Sequence, residues 1–295
     1  MNQTHLKRNC PACNSESNTF FAEKNGFNIL KCAMCGTLFV SNPPADTADI
    51  YGNNYFWGAA EGFGYVDYDT DKAPMKKVFE DCVKQISEMN TGRTGKLLDI
   101  GAATGYFMTL AEKLGWKSEG VEIGKEAAEA GRKKGLKMTT GTIHDLKSPE
   151  KFDAVTMFDV VEHMKDTRSD LKKARALLKE GGSLVIITPD AGSFYARLLK
   201  KRWHLLVPPE HLSYFTRRGL TQLLNETGFD VVQMKAPGKS FTLEYILHTL
   251  LRWQKLRFWK VLLNLVNKFP RLAKVRLPVN FGDNMLVFAK TKSDL

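Results

Sequence analysis

The sequence predicts an α/β fold with a mostly parallel sheet, fronted by a small cysteine-rich module and interrupted late by a basic helical segment. Three observations predict it. From Lys96 onward, short apolar runs alternate with amphipathic helical stretches, the arrangement of βαβ units. Four of the five cysteines stand in two tight pairs near the start. Between Lys239 and Arg276 there are nine Lys/Arg and one acid, Glu244, so this stretch carries +8 of the chain's net +11.

At 295 residues, 43% hydrophobic and 25% charged, the chain can bury one α/β core of roughly 150–200 residues and leave material for additions. The expected division is 1–45 for the cysteine module, 46–90 for an aromatic linker or lid and a helix, 91–236 for the core, 237–282 for the basic helical insertion and 283–295 for a last strand and tail. The opening residues lack an apolar h-region, and no run reaches the ~18 apolar residues of a membrane span, so a cytoplasmic protein is expected. A pI near 9.3 suits nucleic acid, anionic lipid or phosphorylated substrates as partners.

Cys10-Pro-Ala-Cys13 and Cys32-Ala-Met-Cys35 are separated by eighteen residues. In a reducing compartment such pairs indicate a metal rather than disulfides. Four thiolates at this spacing suit a structural Zn2+ in a zinc ribbon, with no position left open for water. Thr19–Phe21 and Phe27–Leu30 read as a hairpin, and Leu38–Val40 as the strand leaving the second knuckle. A module this small depends on the metal for its folding free energy. Cys82 reads as a small buried hydrophobe and His5 as a solvated residue.

Lys96–Ile100 is a buried strand that runs into Gly101-Ala102-Ala103-Thr104-Gly105 and then a helix ending near Gly115. Glycines there let the backbone pass close to a ligand, and the helix start offers unpaired N–H donors. A second strand, Lys117–Ile123, carries Glu122 about twenty residues beyond the turn, the distance at which a carboxylate accepts ribose hydroxyls. A nucleotide-like ligand is the expectation.

Leu97-Leu98-Asp99-Ile100-Gly101-Ala102-Ala103-Thr104-Gly105 resembles motif I of class I methyltransferases. Phe152–His163 is similar to their fourth strand and following loop, and Leu177–Pro189 to their helix, double-glycine turn and fifth strand. The resemblance implies a Rossmann-like sheet with an antiparallel last strand, and S-adenosyl-L-methionine as cofactor. It implies that Asp99, Gly101 and Gly105 hold the amino-acid end, Glu122 the ribose, Thr142 and Ile143 the adenine, and Asp159 the methionine portion. Ala102, Tyr106, Phe107, Ile123 and Phe158 complete the expected cofactor shell.

Methyl transfer to a hydroxyl or a carbon acid needs an aligned acceptor and a base. Glu210-His211 resembles the Glu-His pair of sugar C-methyltransferases that carry an N-terminal zinc module, which makes His211 the expected base with Glu210 beside it. His163 is expected to shape the site and His204 to touch substrate; His144 is a further candidate. The aromatic stretches Tyr51–Trp57 and Gly64–Tyr68 suit a lid, with Tyr65 and Tyr68 as acceptor contacts. Those sugar enzymes have a further C-terminal domain for which this chain is too short, so O-methylation of a saccharide or small molecule is favoured over C-methylation of a nucleotide-linked ketosugar.

About fifty residues separate the expected last strands, Phe229–Met234 and Met285–Lys290, more than a hairpin needs. Projected as a helix, Leu251, Phe258, Val261, Leu262, Leu265 and Val266 share one face, opposite Arg257, Lys260, Asn264 and Lys268. Two readings stay open: a cap packed on the core, or a basic amphipathic helix on the inner face of an anionic membrane, which Trp253 and Trp259 suit. An RNA methyltransferase is the competing enzyme class. The cysteine segment is poor in basic residues, however, and Phe158-Asp159-Val160-Val161 stands where amino-group methylation of bases has Asn-Pro-Pro-Tyr, so nucleic acid is not expected. A non-catalytic cofactor-binding protein is the third class; intact Asp99, Gly101, Gly105 and Glu122 oppose it.

Overall fold

The computed structural model describes residues 8–44, 68–244, 247, 251, 256–273, 275–279 and 282–293. His5, Tyr65, Trp253 and most of the aromatic stretch lie outside the described residues.

The cysteine module contributes β1 (Asn18–Lys24), β2 (Phe27–Cys32) and β3 (Leu38–Val40). The helical segment α1 (Tyr68–Lys72) and a single turn, Ala73–Met75, lead into α2 (Lys76–Met89). Strands and helices then alternate: β4 (Lys96–Ile100), α3 (Tyr106–Lys113), β5 (Lys117–Glu122), α4 (Lys125–Lys133), β6 (Lys137–Thr140), β7 (Phe152–Phe158), α5 (Thr167–Leu177) and β8 (Leu178–Pro189). After α6 (Phe194–Leu199) come β9 (Ser213–Tyr214), α7 (Arg217–Glu226) and β10 (Phe229–Lys235). The insertion holds β11 (Lys239–Thr242), α8 (Arg257–Asn267), α9 (Pro270–Ala273) and β12 (Arg276–Val279), and β13 (Asn284–Thr291) closes the fold.

The main sheet has seven strands in the order β10-β13-β8-β7-β4-β5-β6. From β8 to β6 neighbours run parallel, whereas β13 is antiparallel to both β8 and β10. Period-two alternation assigns each side chain to one of two faces. Leu184, Ile186, Met285 and Val287 pack with Leu171 of α5 and Leu220 of α7 on one face. Val185, Ile187, Leu286 and Phe288 pack with Phe79 of α2 and Phe107 of α3 on the other. Cys82 sits in that second layer, and burial pushes its thiol up to about 12, as suits an inert hydrophobe.

One expectation is refined and one corrected. The double-glycine turn lies inside the span of β8 rather than before it: four residues, Lys179–Gly182, stand between Leu178, opposite Phe152, and Ser183, opposite Ala154, and Gly181 holds φ +67°. The insertion is not wholly helical: β11 and β12 pair antiparallel at its base, Lys239 opposite Val279 and Thr242 opposite Arg276.

β9 follows the region of the expected base and joins the cysteine module. It pairs with β3, Leu38 opposite Tyr214, and completes a four-stranded sheet in the order β1-β2-β3-β9.

Candidate active site

Three strand ends converge at the carboxyl edge of the sheet, where open α/β sheets bind ligands. β4 ends on Ile100 and runs into Gly101, β5 ends on Glu122, and β7 on Phe158 with Asp159 next. These residues, with Tyr68, Lys72, Ile123, Thr142, Ile143, His144 and His163, line a cavity of about 420 Å³.

The turn after β4 requires glycine twice. Gly101 has φ +69° and a side chain there would drive into Val160; Gly105, capping α3, has φ +77° and would collide with Leu136. Ala103 N–H donates to Glu122 Oε2 at 2.9 Å and Gly124 N–H to Oε1 at 2.7 Å. Glu122 is therefore buried and clamped between the first turn and the start of α4, and each oxygen retains acceptor capacity at the cavity wall. Burial raises its pKa, and the donated N–H groups oppose that shift.

Of the other expected cofactor residues, Ala102, Gly105, Tyr106 and Phe107 build the turn and helix behind the wall rather than the wall itself. Phe107 packs edge-on against Phe158, with ring centroids 4.7 Å apart. Asp99 also lies off the wall. It is buried, accepts a 2.7 Å hydrogen bond from the Thr156 hydroxyl, and is pushed up by burial to about 7. In this position it ties β4 to β7.

The opposite wall carries a residue the sequence did not mark. Lys72 is buried and its Nζ meets Asp159 Oδ2 at 2.7 Å, with the Tyr68 ring centroid 5.5 Å from the same nitrogen. Asp159 holds φ +55°, unusual for a residue other than glycine and common at functional sites. Nothing in the run Asp69–Lys77, dense in charge, distinguishes Lys72 from its solvated neighbours.

The histidines separate by position. His163 lines the cavity; its Nδ1 donates to the Glu210 carbonyl at 2.7 Å. His211 stands behind it, rings perpendicular and centroids 4.8 Å apart, with its Nδ1 donating to the Leu205 carbonyl at 2.9 Å. Carbonyls only accept, so in the neutral form the His211 ring carries its lone pair on Nε2, whereas the His163 ring also faces the Asp159 carbonyl. Burial pushes His163 down to about 4 and His211 to about 3, which keeps both neutral near pH 7. Glu162 joins this cluster, one ligand atom from each of the three lying within 4.8 Å of the others. Its carboxyl, buried and near Asp159, is raised to about 8 and accepts from the Thr188 hydroxyl at 2.9 Å. His204 is away from the cavity, its Nε2 3.5 Å from Asp283. His144 is exposed at the rim, 2.9 Å from Asp170. Glu210 contributes its backbone carbonyl to His163.

The four paired cysteines come together. Cys10 and Cys35 sulfurs are 3.5 Å apart, as are those of Cys13 and Cys32, and all four lie within 4.8 Å of one another. A tetrahedral zinc site with ~2.3 Å bonds has sulfur–sulfur edges of about 3.8 Å, so this geometry could hold the ion. The module is bolted to the core: the Thr216 hydroxyl donates to the Cys35 carbonyl at 2.6 Å while capping α7.

A family model described as a methyltransferase domain matches residues 75–234, more than half of the chain. The chain belongs to the methyltransferase-domain family. Among curated relatives of this methyltransferase-family protein, the ubiquinone biosynthesis O-methyltransferase of Proteus mirabilis is 27% identical over 150 residues, 48% of this chain and 58% of that enzyme. The same enzyme from Aliivibrio fischeri is 24% identical over 211 residues, covering 63% of this chain and 90% of its own length. An uncharacterised Methanocaldococcus jannaschii protein is 28% identical over 136 residues, 46% of this chain and 64% of its own. The match therefore spans less than two thirds of the Proteus and archaeal proteins.

Among solved structures, magnesium protoporphyrin IX methyltransferase from Synechocystis with bound SAH shares the fold at TM-score 0.51 and 13% identity, covering 79% of this chain and 90% of its own. An S-adenosylmethionine-dependent methyltransferase from Clostridium acetobutylicum gives 0.50 at 13% identity, covering 76% and 96%. At these identities the likeness is one of fold.

Proposed function

We propose that this chain transfers a methyl group from S-adenosyl-L-methionine to a hydroxyl of a small-molecule or saccharide acceptor. The observation that carries the reading is Glu122, a buried carboxylate clamped by two backbone N–H groups on the wall of a cavity of about 420 Å³. That volume falls within the ~300–1,000 Å³ of small-molecule sites. Glu122 would accept the ribose hydroxyls, Ile123, Thr142 and Ile143 would border the adenine, and Gly101 with Asp159 would hold the amino-acid end. When bound, the cofactor supplies an electrophilic methyl group on a sulfonium. Four thiolates of the cysteine module would hold a structural zinc ion.

The acceptor hydroxyl must lose its proton, and His211 is the proposed base. Its Nδ1–H is committed to Leu205, which orients Nε2 as the accepting nitrogen. His163 competes for the role because it lines the cavity whereas His211 stands behind it. The naming of relatives as O-methyltransferases supports a hydroxyl acceptor.

Calorimetric titration of folded, zinc-loaded protein with S-adenosylmethionine is expected to show binding; its absence would overturn the reading. His211→Gln is expected to keep cofactor affinity within about threefold and to lower kcat by about 10²–10⁴-fold toward an accepted hydroxyl substrate. Unchanged turnover in His211→Gln alongside that loss in His163→Gln transfers the base role to His163.

A further inference from the structure

The apolar face expected for the insertion helix is split in two. Leu263 and Val266 of α8 are buried with Leu247 and Ala273 in a small core of the insertion's own. Phe258, Val261 and Leu265 point away from it and remain 63%, 67% and 52% exposed. Their spacing of three and four residues places them in one stripe, and Phe269 and Leu272 in the segment that follows are also exposed, at 57% and 45%. An exposed apolar stripe of this kind marks an interaction site.

Arg257 and Lys260 on α8 and Lys268 at its C-cap are exposed, and residues 256–269 contain no acid. An apolar stripe flanked by cations and Asn264, with no acid, complements a surface that is apolar beneath and anionic above. A second copy of the chain would bring like charges to the same seam. An RNA would answer the cations and leave the stripe in water.

The stripe is also well placed. β10 ends with Lys235 opposite Leu286, and β13 begins with Asn284 opposite Pro189, so the insertion leaves and rejoins the sheet at the carboxyl edge that bears the cavity. β11 packs beside the turn Ala73–Met75, directly after the cavity residue Lys72. At the insertion's return, Gly282 and Phe194 of α6 line one depression. α6 itself exposes Phe194 and Leu198 at 73% and 63%, and Lys200, Lys201 and Arg202 follow it.

We propose that this face docks on an anionic phospholipid surface and holds the carboxyl edge of the sheet near the bilayer. No helix among the described residues is long and apolar enough to cross a membrane, so the contact is peripheral. The proposal rests on the surface alone and is independent of the methyl-transfer reading.

The test is co-sedimentation of the whole zinc-loaded chain with phosphatidylglycerol/phosphatidylcholine vesicles and with pure phosphatidylcholine vesicles, at low and high salt. Binding is expected to be at least about tenfold stronger to the anionic vesicles and to weaken with salt. Val261→Glu/Leu265→Glu is expected to weaken it by about tenfold or more, with circular dichroism and S-adenosylmethionine affinity unchanged. Arg257→Glu/Lys260→Glu/Lys268→Glu, which leaves the stripe intact, is expected to abolish the preference for anionic lipid. Absence of vesicle binding at low salt, or binding unaffected by both variants, overturns the proposal. So does a concentration-dependent dimer that forms without vesicles and is lost in Val261→Glu/Leu265→Glu, which would assign the stripe to a second copy. Vesicle binding by a protein that does not bind S-adenosylmethionine would leave this proposal standing and remove the enzymatic one.

Discussion

His211 shows how burying a titratable side chain costs stability. A free histidine titrates near 6.5, whereas burial pushes this one down to about 3. Between those values the unfolded chain binds the proton and the folded chain does not, so this residue's contribution is intact above pH 6.5 and is lost as pH falls. A shifted group changes stability by roughly 1.4 kcal/mol per pH unit. Relative to wild type, His211→Gln should therefore regain about 2 kcal/mol between pH 7 and pH 5, read from urea unfolding at both pH values; a constant difference would mean that His211 titrates normally. At Glu122 the prediction concerns affinity. Glu122→Gln replaces one acceptor oxygen with a donor that opposes a backbone N–H, and S-adenosylmethionine affinity should fall by about 10–100-fold in calorimetry.

At the scale of elements, the contact between the cysteine module and α7 is tight at Gly219. A Cβ there would meet the Thr37 hydroxyl and lie 3.3 Å from both Ala12 Cβ and Cys35 Sγ. In an isolated helix Gly→Ala stabilises by up to about 1 kcal/mol. Here overpacking should win, and Gly219→Ala is expected to cost about 1–3 kcal/mol in chemical denaturation. A stabilised variant would show that the module rides loosely on the core. Thr216→Val tests the same junction from the other side, because it removes both the α7 cap and the bond to the Cys35 carbonyl.

For the molecule as a whole, the consequence of β9 is that the cysteine module pairs with the chain segment directly after His211. Val40 N–H donates to the Leu212 carbonyl at 2.9 Å, one residue beyond His211, and the Leu212 and Ser213 N–H groups return to the Glu162 carbonyl at 2.8 and 3.0 Å. Stripping the proposed zinc with a chelator should therefore lower the melting temperature and also reduce kcat, while S-adenosylmethionine affinity changes by less than about threefold, because the ends of β4, β5 and β7 line the cavity proposed for the cofactor. Equal loss of affinity and turnover would indicate global unfolding instead.

What could be read in advance was local chemistry. The strands 96–100, 117–122 and 152–158 announce themselves by apolar runs, the turn by Gly101 and Gly105, and the four-cysteine cluster by its spacing, because backbone conformation and ligand chemistry are short-range properties of residue type. Glu122 was legible for the same reason: it ends a strand at a fixed distance from the turn. Tertiary structure alone decided that Lys72 meets Asp159, 87 residues away, that Asp99 turns from the cavity toward Thr156, and that His163 rather than His211 forms the wall. It also decided that only half of the apolar face of α8 is covered. Each of these depends on which distant segments share a surface, and burial, which sets both charge and exposure, exists only once they do.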